Sequence, residues 1–97
     1  MAGILEGVKV VDMGHVVAVP AAGAMLADWG ADVIKVEPLS GEILRSFGKI
    51  RGAERIIKYK NGELNWEIQL LNRNKRGLAL DLKKETGRDI FYKLIQK

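Results

Sequence analysis

The sequence contains no cysteine and only one histidine among its 97 residues. The lack of cysteine excludes disulfide scaffolds, thiolate metal sites and cysteine nucleophiles, and one histidine provides too few ligands for zinc or iron. The longest apolar run, residues 16–26, is too short to cross a bilayer, and acidic Glu6 lies where a signal peptide carries basic residues. We therefore expect a soluble, cytoplasmic protein with no metal and no membrane partner.

The remaining composition is that of a globular chain. A hydrophobic share of 47% and a charged share of 29% predict a packed core, and the length suits one unit, residues 1–97, or part of a larger domain. The charge is uneven, because residues 1–48 have a net charge of −3 and residues 49–97 have +7. Such a basic half suits an anionic ligand, a nucleic acid or solvent, and its charge alone does not choose among them.

Strand and helix patterns alternate along the first part of the chain. The β-branched residues 8–12 and 32–37 predict two buried strands, and the segment from Pro20 to Gly30 between them predicts a helix. Residues 78–82 predict a third strand. This order is typical of an α/β fold with a Rossmann-like parallel βαβ sheet, whose open edges and faces require more chain or an association.

The middle and the end of the chain are less regular. Residues 56–60 and 63–68 could form a hairpin on the Asn61–Gly62 turn, and residues 64–71 could equally form a short helix. Residues 84–96 predict an amphipathic helix. Its apolar face is formed by Ile90, Phe91, Leu94 and Ile95.

The loop after the first strand is the first candidate site. Residues 13–19 lack both the Gly-x-Gly-x-x-Gly spacing and the Walker lysine, but they offer small side chains beside a helix N-terminus that can bind an anion or a carbonyl oxygen. His15 could act as a general base oriented by Asp12, although a histidine packed in a turn and donating to a backbone carbonyl is the favoured interpretation. Asp12 is expected to bond to loop amides.

A cluster of cations and amides before the third strand is the second candidate site. Charge-assisted hydrogen bonds to phosphate contribute about 1.5–3 kcal/mol each when partly buried, whereas solvated cations contribute less than about 1 kcal/mol. Phosphate contact and solvation both remain open for this cluster. A nucleic-acid-binding module over residues 49–97 is disfavoured, because the cations are not interleaved with exposed aromatic residues. The cluster consists of Asn72, Arg73, Asn74, Lys75 and Arg76.

A specific pattern extends over five segments of the chain, namely residues 5–12, 20–22, 26–38, 72–76 and 80–83. Its most distinctive parts are Gly-Ala-Asp-Val-Ile-Lys-Val-Glu-Pro at the second strand and Asn-Arg-Asn-Lys-Arg before the third. In this order the segments resemble the family III CoA-transferases of the CaiB/BaiF type. That family includes formyl-CoA and carnitine-CoA transferases and, as a branch, the α-methylacyl-CoA racemases.

The resemblance implies that this chain is the N-terminal part of the large domain of a longer, interlocked homodimeric enzyme. Its transferases use an aspartate that attacks the acyl-CoA thioester, at a position beyond Lys97, so the chain alone is expected to be inactive and to contain no catalytic residue. Acyl-CoA and a carboxylic acid are the implied substrates, with no tightly bound cofactor and no nucleic-acid partner. The racemase branch, which exchanges a proton next to the thioester, is the alternative.

The resemblance also implies CoA contacts within this chain. The loop at residues 16–18 matches the segment beside the pantetheine arm and thioester, and Val17 stands where some transferases have glutamine. Pro38 matches a position near the adenine, where some members have arginine. Residues 72–75 match the segment around the CoA nucleotide and are expected to share a cleft with the loop. The implied CoA-binding residues are Val16, Val17, Ala18, Pro38, Arg45, Asn72, Arg73, Asn74 and Lys75.

Overall fold

A computed structural model of the chain describes residues 3–46, 49–50, 53–54, 56–60 and 62–97. Within these residues, no helix has the length and apolarity needed to span a bilayer. In chain order the elements are β1 (Lys9–Asp12), α1 (Ala18–Asp28), β2 (Asp32–Glu37), a 3-10 turn (Ile43–Ser46), β3 (Lys49–Ile50), β4 (Ala53–Glu54), β5 (Ile56–Tyr59), β6 (Gly62–Asn65), α2 (Trp66–Leu71), β7 (Arg76–Ala79) and α3 (Glu85–Ile95).

The main sheet is parallel and has the order β1-β2-β7. This confirms the predicted α/β class and its three parallel strands. The third strand, however, spans residues 76–79 rather than 78–82. Its partner β2 ends at Glu37 before Pro38, and the last ladder bond runs from the Leu80 N–H to the Glu37 carbonyl at 2.8 Å. Beyond Leu80 the strand has no neighbour in β2 with which to pair.

Helix α1 ends in a Schellman motif, as its glycine predicts. The N–H of Gly30 donates to the Ala27 carbonyl and the N–H of Ala31 donates to the Leu26 carbonyl, both at 3.1 Å. Gly30 has a φ of 105°, a conformation that residues with a Cβ rarely adopt. The motif turns the chain directly into β2, so that Ala27, Ala31 and Val33 form the small buried core between α1 and the sheet.

The two alternatives for the middle of the chain both occur, in succession. Strands β5 and β6 form an antiparallel hairpin with Tyr59 opposite Gly62, and α2 begins immediately after it. Asn65 belongs to both, since it pairs with Ile56 in the hairpin and its side chain accepts hydrogen bonds from two N–H groups at the start of α2. Asn61, in the predicted turn, lies outside the described residues.

Helix α3 confirms the amphipathic pattern, with bounds one residue inside the prediction at each end. Its apolar face is only partly covered, because Ile90 is 44% exposed and Ile95 is 52% exposed. A cavity of about 380 Å³ separates the end of the helix from the sheet, with Val10 and Ile34 on its other side. The sheet therefore has apolar surface that the described part of the chain does not bury.

Candidate functional site

The loop between β1 and α1 lies at the carboxyl end of the sheet. Its start is fixed by Asp12, whose Oδ1 accepts a hydrogen bond from the Gly14 N–H at 2.8 Å, as predicted for that aspartate. Val16 has a φ of 64°, a left-handed conformation that costs a β-branched residue about 1–3 kcal/mol. The N–H of Val16 donates to Oε1 of Glu42. The loop thus has a strained residue that is bonded to a side chain distant in sequence.

The start of α1 presents uncapped backbone amides. Its N-cap residue, Val17, has no side-chain acceptor, and the first turn contains no acidic residue. The first helical bond joins the Ala21 N–H to the Val17 carbonyl at 2.8 Å, so the N–H groups of Ala18 and Val19 have no acceptor within the helix. Together with the helix dipole, these groups favour an anion or a carbonyl oxygen.

Lys75 lies inside the protein, beneath this loop. Its side chain is 2% exposed, and its Nζ lies 2.6 Å from Asp12 Oδ2, 2.8 Å from the Pro20 carbonyl and 2.9 Å from Asn72 Oδ1. A fourth acceptor, the Leu71 carbonyl, lies at 3.1 Å. Burial lowers the pKa of Lys75, and the ion pair with Asp12 opposes that shift. Since an ammonium has three protons, these acceptors occupy it fully.

The rest of the cation cluster forms ion pairs at other places on the surface. Arg73 donates twice to Asp28 Oδ2, at 2.9 and 2.6 Å, and Asn74 Nδ2 donates to the other oxygen of that carboxylate at 2.6 Å. The hydrogen bonds from Arg73 lower the pKa of Asp28. Arg76 forms a bidentate pair with Asp32 at the amino end of β2. Each of these cations thus has a carboxylate of this chain as its partner.

Two cavities open beside His15 at the carboxyl ends of the strands. The larger, about 550 Å³, is lined by His15, Pro38, Arg45 and residues 40–43. The smaller, about 220 Å³, is lined by His15 and Pro38 together with residues that include Leu80. Neither cavity is lined by residues 72–76, so the predicted common cleft is absent at both. Lys75 instead contacts the buried side of the loop, through its ion pair with Asp12.

Arg45 is the cation that faces the larger cavity. Its guanidinium forms a bidentate pair with Glu37, with both nitrogen–oxygen distances at 2.7 Å, yet its side chain remains 48% exposed. The hydrogen bonds from Arg45 lower the pKa of Glu37 to about 2, and the same pair raises the pKa of Arg45. Glu37 therefore fixes one edge of the guanidinium and leaves the rest available to an anion.

Neither of the two arrangements considered for His15 is present. The oxygens of Asp12 accept from Gly14 and Lys75, so Asp12 does not orient the imidazole. His15 is exposed, and within the described part of the chain its ring makes no hydrogen bond to a backbone carbonyl. The described residues also contain no cluster of three or more potential metal-binding side chains.

Sequence reasoning missed one buried pair next to the loop. Lys35 in β2 and Glu42 are both buried, and Lys35 Nζ lies 2.9 Å from Glu42 Oε2. The available signal was a lysine inside a β-branched strand, at a position where burial requires a charged partner. Nothing near Lys35 in the sequence indicated that the partner is Glu42.

Comparison with known proteins identifies the family. The sequence model of the family described as CoA-transferase family III matches residues 5–97. The chain belongs to this family. This family III chain is 36% identical over 94 residues to the (R)-2-hydroxy-4-methylpentanoate CoA-transferase of Clostridioides difficile, covering 97% of this chain and 22% of the relative. It is 37% identical over 97 residues to the formyl-CoA:oxalate CoA-transferase of Streptomyces avermitilis, covering 100% of this chain and 22% of the relative.

The structural comparison agrees with the family. A CAIB/BAIF family protein from Brucella suis superposes with a TM-score of 0.83 at 33% identity, over 98% of this chain and 24% of that protein. Family III membership and the parallel α/β fold are therefore both established for this chain. The chain spans about a fifth of the length of the curated relatives that it matches.

Proposed function

We propose that this chain is the N-terminal CoA-binding portion of an acyl-CoA:carboxylate CoA-transferase. Membership of family III and the CoA-transferase names of two relatives support the reaction class. The substrates would be an acyl-CoA and a carboxylic acid, in a cytoplasmic homodimer without a tightly bound cofactor. The relatives differ in their acyl groups, so the proposal leaves the donor and acceptor acids open.

The observation that carries the proposal is the larger cavity beside His15. It combines the half-exposed Arg45 guanidinium with Pro38, and it adjoins the loop that ends in the free amides of Ala18 and Val19. The guanidinium and the amides both suit CoA, because its phosphates are anionic and its thioester carbonyl accepts hydrogen bonds. In the proposed complex Arg45 contacts a phosphate, Pro38 packs near the adenine, and the amides contact the acyl oxygen.

Residues 72–75 contribute to this proposal through Lys75. The resemblance implied Asn72, Arg73 and Asn74 as nucleotide contacts, but they do not line the larger cavity, and Arg73 and Asn74 bond to Asp28 at the end of α1, so we assign them no direct contact with CoA. Lys75 would act from beneath, since its protons are occupied by Asp12 and backbone carbonyls. Its contribution would be to fix the start of the loop rather than to bind phosphate directly.

We further propose that the chain alone does not transfer CoA. Three of its aspartates already form ion pairs with cations of this chain, namely Asp12 with Lys75, Asp28 with Arg73 and Asp32 with Arg76. Such pairing stabilises the carboxylates and makes them poor nucleophiles. Within the described part of the chain this pairing does not extend to Asp81 or Asp89, so the proposal that the attacking aspartate lies beyond this chain rests on the family resemblance.

Calorimetric titration of the 97-residue chain with CoA tests the proposed binding, and a product assay tests the proposed inactivity. The chain should bind CoA saturably, 3′-dephospho-CoA more weakly, and pantetheine more weakly still, and it should release no product from acyl-CoA and carboxylate mixtures. Arg45→Gln should weaken CoA binding by about tenfold, the effect of losing one charge-assisted contact. Lys93→Gln, an equal change of charge on exposed α3, is the matched control. Equal affinities for Arg45→Gln and Lys93→Gln would contradict the proposed site, and measurable transfer would contradict the proposed inactivity.

A further inference from the structure

The buried pair of Lys35 and Glu42 contacts the loop of residues 13–17 from below. Both charges are removed from water, although a buried ion pair often contributes little to stability compared with well-packed apolar residues. Glu42 is among the residues that line the larger cavity, but its side chain is only 1% exposed, and neither side chain is one of the direct CoA contacts proposed above. The contacts of the pair with the loop backbone are the feature that needs an explanation.

Both members of the pair bond to the loop backbone. Glu42 Oε1 accepts a hydrogen bond from the Val16 N–H, and Lys35 Nζ donates to the Gly14 carbonyl at 3.4 Å. These groups belong to the two peptide units that flank His15. Glu42 is fixed in turn, because its own N–H donates to Glu37 Oε2 at 2.9 Å. The pair thus contacts the loop on both sides of His15.

The loop needs such support because of its backbone conformation. Val16 has a φ of 64°, which crowds its branched side chain against its own backbone. Without a fixed acceptor for its N–H, Val16 would relax toward negative φ. That rotation would redirect the next peptide group and, with it, the amides of Ala18 and Val19.

We propose that Glu42, supported by Lys35, is a positioning residue that holds Val16 in its left-handed conformation and so directs the amides at the start of α1 toward the acyl oxygen. The identity of the ligand, an acyl-CoA, rests on the proposed function. The effect of Glu42 on the loop is a property of the free chain and can be measured without CoA.

A matched pair of double variants separates positioning from the buried charge. Lys35→Met with Glu42→Gln removes both charges but keeps an acceptor for the Val16 N–H, whereas Lys35→Met with Glu42→Met removes the acceptor as well. Exchange of the Val16 amide should be about tenfold faster in the second variant than in the first, and CoA affinity should be about tenfold lower. The amide of Ala31, bonded in the Schellman motif, is the internal reference and should exchange equally in both.

Equal Val16 exchange rates in the two variants would overturn the proposal. Unfolding of only the double variant that contains Glu42→Met would also overturn it, because the requirement for Glu42 would then be one of overall stability. If the unsubstituted chain bound no CoA, the proposed function would fail, and the Val16 exchange rates would still decide whether Glu42 controls the loop.

Val16→Gly provides a second test that leaves the buried pair intact. Glycine adopts positive φ without the penalty of a Cβ, so this variant should have an equal or higher Tm than the unsubstituted chain. Added to the double variant of Lys35→Met with Glu42→Met, it should restore the amide chemical shifts of Ala18 and Val19 to those of the unsubstituted chain, because the loop no longer needs the acceptor. A lower Tm for Val16→Gly, or no restoration, would contradict the role assigned to Glu42.

Discussion

Replacing Lys75 by methionine while leaving Asp12 in place should sharply destabilise the chain. Asp12 is buried, and Lys75 is its only cationic partner in the described part of the chain. Without the ammonium, Asp12 would retain the Gly14 N–H alone, and the Pro20 and Leu71 carbonyls would each lose a donor. The substitution thus leaves an uncompensated charge inside the protein.

The expected cost is large relative to the total stability. Removing one partner of a buried ion pair costs about 3–5 kcal/mol, and a chain of this size has a free energy of unfolding of about 5–15 kcal/mol. Adding Asp12→Asn removes the stranded charge and keeps an acceptor for the Gly14 N–H. The double variant Lys75→Met with Asp12→Asn should therefore be more stable than Lys75→Met alone, with a coupling energy of about 1–3 kcal/mol.

Urea unfolding followed by circular dichroism measures this double-mutant cycle. Arg76→Gln is the matched control, because it removes a cation of the same cluster from an exposed pair with Asp32, and it should cost less than about 1 kcal/mol. Additive effects of the Lys75 and Asp12 substitutions would refute the reasoning. A Lys75→Met variant as stable as the Arg76→Gln variant would refute it as well.

Two further predictions concern positions around the same loop. Arg45 lowers the pKa of Glu37 from 4.5 to about 2, so the stability from this carboxylate is present above pH 4.5 and lost as the pH falls toward 2. In urea unfolding measured at several pH values, Glu37→Gln should remove that part of the stability loss at acid pH. An unchanged pH profile would contradict the lowered pKa of Glu37. Gly23→Ala should lower stability by about 1–2 kcal/mol, because its Cβ would lie 3.0 Å from Asp12 Oδ2. Gly77→Ala meets nothing within 4 Å and should not be destabilising, and equal thermal shifts for the two would contradict this.

The elements whose signals are local were predictable from the sequence. Glycine at position 30 predicted the end of α1, and the β-branched runs predicted β1 and β2 because a parallel strand is buried on both faces. The end of β7 was misplaced because it depends on where β2 stops. The segment around Asn65 was ambiguous because that residue pairs in a hairpin and also caps a helix.

The candidate site was less predictable because its bonds are long-range. The carboxylate partners of Arg73 and Lys75 lie 45 and 63 residues away along the chain. Their charges therefore looked free for phosphate when read from the sequence. Glu42 was missed although it lies only seven residues from Lys35, because its contact with Val16, 26 residues away, exists only after β2 has folded beside the loop.

The most direct test of the CoA-binding proposal is a nitrogen-15 NMR titration of the chain with CoA. We expect chemical-shift changes concentrated at residues 15–19 and at the amides of residues 40–45, which adjoin or line the larger cavity. Amides in α3 should shift much less. Changes confined to α3 and the cavity beside it, or no saturable change anywhere, would contradict the account.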